Sequence, residues 1–231
     1  MAEKSPQDTI YGDTVRFFSC GRDWEIARGD MEALWAEMDE FVDPNDERLP
    51  YWAELWPSSL ALAKWLTAQS ASIRGKRCLD LGCGLGFTAL AGAAAGAGVI
   101  GADYERKALE LARVNARLNS FEGPFPEFRL LDWRKPDLPP RSFDVIWGAD
   151  IVYERQAAKE ILAFLDYALA PGGTVWIAEP GRSVFSALTD RLKDSPFSGR
   201  KILTEGTPSL SPRIPAAHVN IWELLPRAGK I

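Results

Sequence analysis

The stretch "DLGCGLGFTA", Asp80 to Ala89, follows the apolar run "KRCL" and leads into the alanine-rich "LAGAAAG". Its three glycines alternate at Gly82, Gly84 and Gly86. Glycines so spaced let a chain turn sharply from a strand into a helix while bare backbone approaches a ligand closely. Counted from Gly84 to Ala89, the same residues also fit G-x-G-x-x-A, the pattern of a pyrophosphate-binding turn. The spacing alone leaves the ligand open, because a strand-to-helix turn needs glycines even with nothing bound.

Outward from this loop the pattern repeats. "RCLDLG", "GVIGADY", "EFRLLDW", "FDVIWGAD" and "GGTVWIAEP" are short β-rich runs, and "TALAGAAAGA", "KALELARVNARLN", "AAKEILAFLDYAL" and "SVFSALTDRLK" between and after them are helical. Such alternation predicts an α/β, Rossmann-like, doubly wound and mostly parallel sheet with ligands at the carboxyl ends of its strands. "GRKILTE" and "HVNIWELL" then predict a closing antiparallel strand pair, joined by a mobile loop, "GTPSLSPRIPAAH". One domain is expected over residues 1–231, with an N-terminal cap over 1–57 and the ligand-binding core over 58–231. This region is expected to be a hairpin around Gly21 and a helix whose apolar side carries Leu34, Trp35, Met38 and Phe41, together forming a cap or lid. A further helix starts after Pro57, with Ser58 or Ser59 as N-cap and Leu60, Leu62, Ala63 and Leu66 on its buried side.

Composition narrows the function classes. The formal charge of −5 gives no basic footprint for nucleic acid. Only Cys20, Cys78 and Cys83 occur, without CxxC spacing, and "MAEKSPQDTI" lacks the apolar core of a signal peptide, so a reduced, cytoplasmic protein with free thiols is expected. No apolar run reaches membrane-spanning length, no ligand cluster suggests a metal, and a monomer is expected. Cys83, with no basic neighbour in sequence, is expected to pack, and His218 on a closing strand to pack or hydrogen-bond rather than catalyse.

Charge distinguishes the cofactors. Each of four predicted strands ends in a carboxylate: Asp80, Asp103, Asp132 and Asp150. If these ends line one crevice, the two phosphates of a dinucleotide are repelled and a cationic sulfonium is attracted, which favours S-adenosylmethionine. The plainer account is that such aspartates only cap helices.

As a set, "LDLGCGLGFTAL", "GADYERKALELARVNARLN", "LLDW", "FDVIWGADIVYE" and "LAPGGTVWIAEP" resemble the successive motifs of class I, seven-β-strand S-adenosylmethionine-dependent methyltransferases over roughly residues 76 to 180. "YWAELWPSSLALAKWL" and the Asp150-x-x-Tyr153 motif resemble the protein-lysine methyltransferase group within that class. The resemblance implies seven strands and a set of roles. Asp80, Gly82, Gly84 and Gly86 would contact the methionine part, Asp103 the ribose hydroxyls, and Tyr104 would lie beside the adenine. Asp132 would accept from the adenine amino group, Trp133 would cover the ring, and Ala149 would offer backbone near the aminoacyl end. Trp52, Glu54 and Trp56 would close over the cofactor and an amine channel. Asp150 would orient the incoming amine, and Tyr153 would supply an aromatic wall and a hydroxyl. The implied partner is a protein carrying a target lysine. A small-molecule amine as acceptor, an NAD(P)-dependent oxidoreductase and a binding module without turnover are the alternatives.

Overall fold

The computed structural model describes residues 11–39, 50–120 and 122–227. The glycine loop follows a central strand. Strands β3 (Arg77–Leu81), β4 (Gly98–Asp103), β5 (Glu127–Leu130), β6 (Phe143–Ala149), β7 (Leu169–Glu179), β8 (Phe197–Thr207) and β9 (Ala217–Pro226) form one sheet in the order β5-β4-β3-β6-β7-β9-β8. β3 to β7 run parallel, and β9 pairs antiparallel with both β7 and β8. The chain enters at β3, builds outward through β4 and β5, then returns to place β6 on the other side of β3. That reversal opens a crevice at the carboxyl ends of β3, β4 and β6.

Two-residue periodicity sorts the strands' side chains between two cores. Leu79 and Leu81 of β3, Ile146 of β6 and Val175 and Ile177 of β7 pack with α6 (Ala157–Ala168) and α7 (Ser186–Leu192). Cys78, Val145, Trp147, Trp176 and Ala178 face the opposite side, toward α2 (Pro57–Ala68), α4 (Phe87–Ala94) and α5 (Arg106–Leu118). Trp147 fits there because Gly92 of α4 leaves room: a Cβ at Gly92 would lie 2.6 Å from the indole. The short helix α3 (Ser70–Ile73) leads from α2 toward β3.

The predicted hairpin is present as β1 (Tyr11–Ser19) and β2 (Arg22–Gly29), closed by Cys20 and Gly21, both at positive φ as a tight primed turn requires. It covers helices and does not line the crevice. Trp24 and Ile26 instead bury themselves against Leu55, Leu60, Phe87, Leu90 and Leu111, making a fourth layer over α2, α4 and α5. Each such buried side chain stabilises this layer by about 1.5–3 kcal/mol. Helix α1 (Met31–Asp39) buries Leu34 and leaves Trp35 exposed, while Phe41 and the Met38 side chain lie outside the described residues.

Helix α2 begins two or three residues earlier than expected. Trp56 is its N-cap and Pro57 its first residue, so Ser58 and Ser59 lie inside the first turn and cap nothing. Pro suits this position because its missing N–H has no helical partner there anyway. Leu60, Leu62, Ala63 and Leu66 are buried as expected, and Ala61 with them, because α2 is covered by the sheet on one side and the hairpin layer on the other.

Candidate active site

Bare backbone forms the floor of the site. Gly82, Gly84 and Gly86 all have positive φ, at 66°, 49° and 79°. At the first two the space is also taken: a Cβ on Gly82 would lie 3.0 Å from Ile151, and one on Gly84 3.3 Å from the Trp52 carbonyl oxygen. Gly86 has a different task. It is the N-cap of α4, and a Cβ there would meet Ala112 at 2.8 Å and Phe128 at 3.0 Å, so this glycine lets α5 and β5 pack close to the loop.

Asp103 ties the loop to β4. Its Oδ2 accepts from the Gly84 N–H at 2.9 Å and its Oδ1 from the Glu105 N–H at 3.0 Å. Burial nevertheless pushes its carboxyl up to about 6, against the pull of those two backbone donors. Beside it, Tyr104 and Trp133 meet edge to face with ring centroids 6.4 Å apart.

The opposite wall comes from the segment before α2, where a 3-10 turn over Tyr51–Ala53 leads into Trp56. The Trp56 indole N–H donates to the Tyr51 carbonyl at 2.7 Å. Tyr51 packs on Trp56 at 5.8 Å and on Tyr153 at 5.6 Å between ring centroids. Beside these three rings lies Asp150, held at a positive φ of 56° at the end of β6 with its N–H on the Ala178 carbonyl. Arg182 clasps the Asp150 carboxylate with both arms, Nε to Oδ1 at 2.9 Å and Nη2 to Oδ2 at 2.8 Å. The same guanidinium lies 5.4 Å from the Trp56 ring centroid. Burial raises the Asp150 carboxyl, and the Arg182 bonds oppose that rise. Burial, with the Tyr104 phenol nearby, holds the Tyr153 hydroxyl well above its ordinary range, so Tyr153 is a neutral donor and wall.

One cavity, open at its mouth, joins these halves. Of the residues singled out from sequence, Trp52, Glu54, Trp56, Gly82, Gly84, Asp103, Tyr104, Trp133, Ala149, Asp150 and Tyr153 line it. Asp80, Gly86 and Asp132 are not among its lining residues. Asp80 is fully buried below the loop, accepting from Thr88 Oγ1 at 2.6 Å, with its Oδ1 and the Trp147 indole N–H both lacking a hydrogen-bond partner. Asp132 is bound by Arg134, Nε to Oδ1 at 2.8 Å and Nη2 to Oδ2 at 2.9 Å. The four strand-end carboxylates therefore do not make one open anionic crevice: Asp80 is sealed in, and Asp132 and Asp150 are each matched by an arginine. Glu54 lines the cavity with its charge also matched, by Arg28 at 3.5 Å and Arg213 at 3.2 Å.

Sequence reasoning missed Tyr51 and Arg182. Tyr51 adjoins the tryptophans in "YWAELW" and was legible as a third ring of that element. Arg182 lies 32 residues from its carboxylate partner, and its one local sign was a cation just after a strand end. Cys83 lines the cavity, but burial and the nearby Asp103 and Asp80 push its thiol well up, so it is no nucleophile. His218 is exposed on β9 opposite Gly206. Among the described residues no group of His, Cys, Asp and Glu is placed to hold a metal ion, and no helix is long and apolar enough to cross a membrane.

Bare glycine backbone, a buried carboxylate with lone pairs to spare and two aromatic side chains fit a cofactor built as a nucleoside with a polar tail. A parallel sheet with such a site at its switch point defines the Rossmann-like class of nucleotide-cofactor proteins. Among solved structures the fold is similar to magnesium protoporphyrin IX methyltransferase from Synechocystis PCC 6803 with bound SAM, at a TM-score of 0.58 and 23% identity over 74% of this chain and 78% of that one. The family described as "Methyltransferase domain" matches residues 73–212, and the chain belongs to that family. It is 34% identical over 159 residues to the electron transfer flavoprotein beta subunit lysine methyltransferase of Xenopus laevis, covering 67% of this chain and 61% of the relative. It is also 27% identical over 180 residues to EEF1A lysine methyltransferase 3 of Mus musculus, covering 78% of this chain and 71% of the relative. The oxidoreductase alternative falls with the family.

Proposed function

We propose that the chain is an S-adenosylmethionine-dependent methyltransferase that acts on a lysine ε-amino group of a protein. The observation that carries this is the junction of two half-sites in one cavity: the glycine floor with Asp103, and a three-ring cup of Tyr51, Trp56 and Tyr153 around Asp150. Two relatives named for different protein targets, both as lysine methyltransferases, support the choice of acceptor. A cytoplasmic setting rests on three free thiols.

When bound, S-adenosylmethionine supplies an electrophilic methyl group on a sulfonium centre. Gly82 and Gly84 would admit its polar tail against backbone, Asp103 would accept from its ribose hydroxyls, and Tyr104 and Trp133 would flank its base. Trp52 and Ala149 would close the remaining sides.

The acceptor end must deliver a neutral nucleophile in line with the methyl carbon, and no covalent intermediate on the protein is needed. Reaching the free amine of a lysine with a pKa near 10.4 at pH 7 costs about 4–5 kcal/mol. Removal from water among the rings of Tyr51, Trp56 and Tyr153 lowers that cost, because desolvation penalises an ammonium that finds no unmatched charge, and Asp150 is already matched by Arg182. Asp150 accepts one N–H of the amine and so fixes the direction of its lone pair. Positioning of this kind accounts for the rate, since Tyr153 keeps its own proton throughout.

The test is incubation of the protein with methyl-labelled S-adenosylmethionine and a cell extract, followed by acid hydrolysis. Label recovered as methyl-lysine supports the proposal. Label confined to small molecules overturns the protein acceptor and favours a small amine.

A further inference from the structure

The three-ring cup already contains a cation. Arg182 spans both Asp150 oxygens, and its guanidinium faces Trp56. Aromatic faces around a carboxylate otherwise describe a trap for ammonium and, more strongly, for a quaternary ammonium such as a trimethylated lysine, whose charge cannot be lost as a proton. A lysine methyltransferase built on such a trap would hold its protonated substrate and its charged product, both of which oppose turnover.

We propose that Arg182 is the specificity-determining residue of the acceptor cup: by matching the Asp150 charge and covering the Trp56 face, it makes the cup take a neutral amine and reject fixed cations. This deepens the lysine reading and rests on it for the identity of the acceptor. Asp150 retains lone pairs beyond those on Arg182, so it still accepts an N–H, but its charge no longer holds a proton on the amine. The other charge felt by Asp150 is Glu179, a like charge, itself tied to the Gly181 N–H, to Asn220 and to Trp222. Glu179 therefore cannot replace Arg182 as the counter-charge. Arg182 follows Gly181, which has open space around it, and its own side chain is 38% exposed, so the guanidinium is not needed to fill a core.

The probe is tetramethylammonium, a cation that cannot lose a proton. Its binding to the S-adenosylhomocysteine complex is measured calorimetrically for the wild type and for Arg182→Lys, Arg182→Gln and Asp150→Asn/Arg182→Gln. Arg182→Gln is expected to bind roughly tenfold tighter than wild type, the gain of an unmatched carboxylate and a freed ring face. Arg182→Lys, which keeps the charge, should stay near wild type, and the double variant should lose the gain. With a lysine acceptor, Arg182→Gln should also lower KM while lowering kcat. Unchanged or weaker tetramethylammonium binding in folded Arg182→Gln overturns the proposal, and so does loss of the fold in that variant, since Arg182 would then be structural. If wild type methylates no lysine yet Arg182→Gln gains tetramethylammonium binding, the lysine reading alone fails. If lysine is methylated and no gain appears, Arg182's role alone fails.

Discussion

The Gly84 N–H donates to Asp103 Oδ2 at 2.9 Å, joining the tip of the glycine loop to the end of the neighbouring strand. The other Asp103 oxygen takes the Glu105 N–H, so the carboxylate fixes two backbone segments of the cavity wall and has lone pairs left for a ligand. Asp103→Asn puts an amide NH2 where one of these donors already points. Hydrogen bonds to a charged group are worth about 1.5–3 kcal/mol, so S-adenosylhomocysteine should bind roughly 10- to 100-fold more weakly to the variant. In the wild type, protonation of Asp103 removes the same acceptor. Because its carboxyl is held up to about 6, affinity should fall as pH drops through that value, and this fall should be absent in Asp103→Asn. Isothermal titration between pH 5 and 8 measures both, and equal affinities of the two proteins at pH 8 would refute the assignment.

Asp80, one layer deeper, predicts a pH dependence of stability. Burial pushes its carboxyl up to about 7, although the Thr88 hydrogen bond pulls it down. The folded state therefore holds this proton more tightly than the unfolded chain, where the group titrates near 3.8. A raised acid contributes stability that is fully present below the unfolded value and is lost as pH rises through the folded one. Between pH 4 and 7 the contribution of Asp80 thus grows on acidification. Asp80→Asn imitates the neutral form and keeps an oxygen for Thr88, so it should melt higher than wild type at pH 8, by a free energy on the order of 2–4 kcal/mol. The gap should close toward pH 4. A variant that melts lower than wild type at pH 8 would count against it.

Much of this arrangement was legible because it follows from local rules. The βα alternation predicts the sheet, the glycines predict the turn, and Asp103 and Asp150 stand at strand ends where a doubly wound fold gathers its ligands. Charge was the part that misled. Asp132 carries its own counter-ion two residues on, in "DWRK", and that local signal was available in the sequence. Asp150 is matched by a residue one helix and one strand further along, and no local pattern gives such a pairing. Asp80 stands one residue before the end of the central strand, below the loop, so depth in the sheet rather than residue type removes it from the cavity. The hairpin was legible as a hairpin, but its docking was not. That depends on Asn115, a polar residue on the buried face of α5.

Asn115 is fully buried. Its amide donates to the carbonyls of Ala27 at 3.1 Å and Leu85 at 2.9 Å, and its oxygen accepts from the Ala27 N–H at 2.8 Å. One side chain thus pins β2 and the residue before Gly86 to the same helix. Asn115→Ala leaves three buried backbone groups short of a partner, at about 1–3 kcal/mol for each such group before water enters. A net loss of about 2–4 kcal/mol is expected in urea unfolding, with faster proteolysis within β1 and β2. Asn115→Asp keeps the acceptor but lacks both donors and buries a charge, so it should be no more stable than Asn115→Ala. Wild-type stability in either variant would show that the Asn115 bonds are dispensable and that the hairpin docks through its apolar contacts and the Asn119 bonds to Glu25.

Tyr153 separates the two ways a tyrosine could serve methyl transfer. Its ring packs on Tyr51 at 5.6 Å and closes the cup, whereas burial holds its hydroxyl far from ionisation. A proton-transfer role requires a phenol that titrates near the working pH; a wall requires only the ring. Tyr153→Phe should therefore keep methyl transfer within about tenfold of wild type and leave the pH profile of kcat in place, since losing one neutral hydrogen bond costs about 0.5–1.5 kcal/mol. Tyr153→Ala removes the wall, admits water to the amine and lets its ammonium form persist, so kcat should fall by roughly a hundredfold or more. The lost activity should return in part at higher pH, where bulk water itself takes the proton from the amine. If Tyr153→Phe were as inactive as Tyr153→Ala and no rise in pH restored either, the hydroxyl rather than the ring would be the working part of this residue.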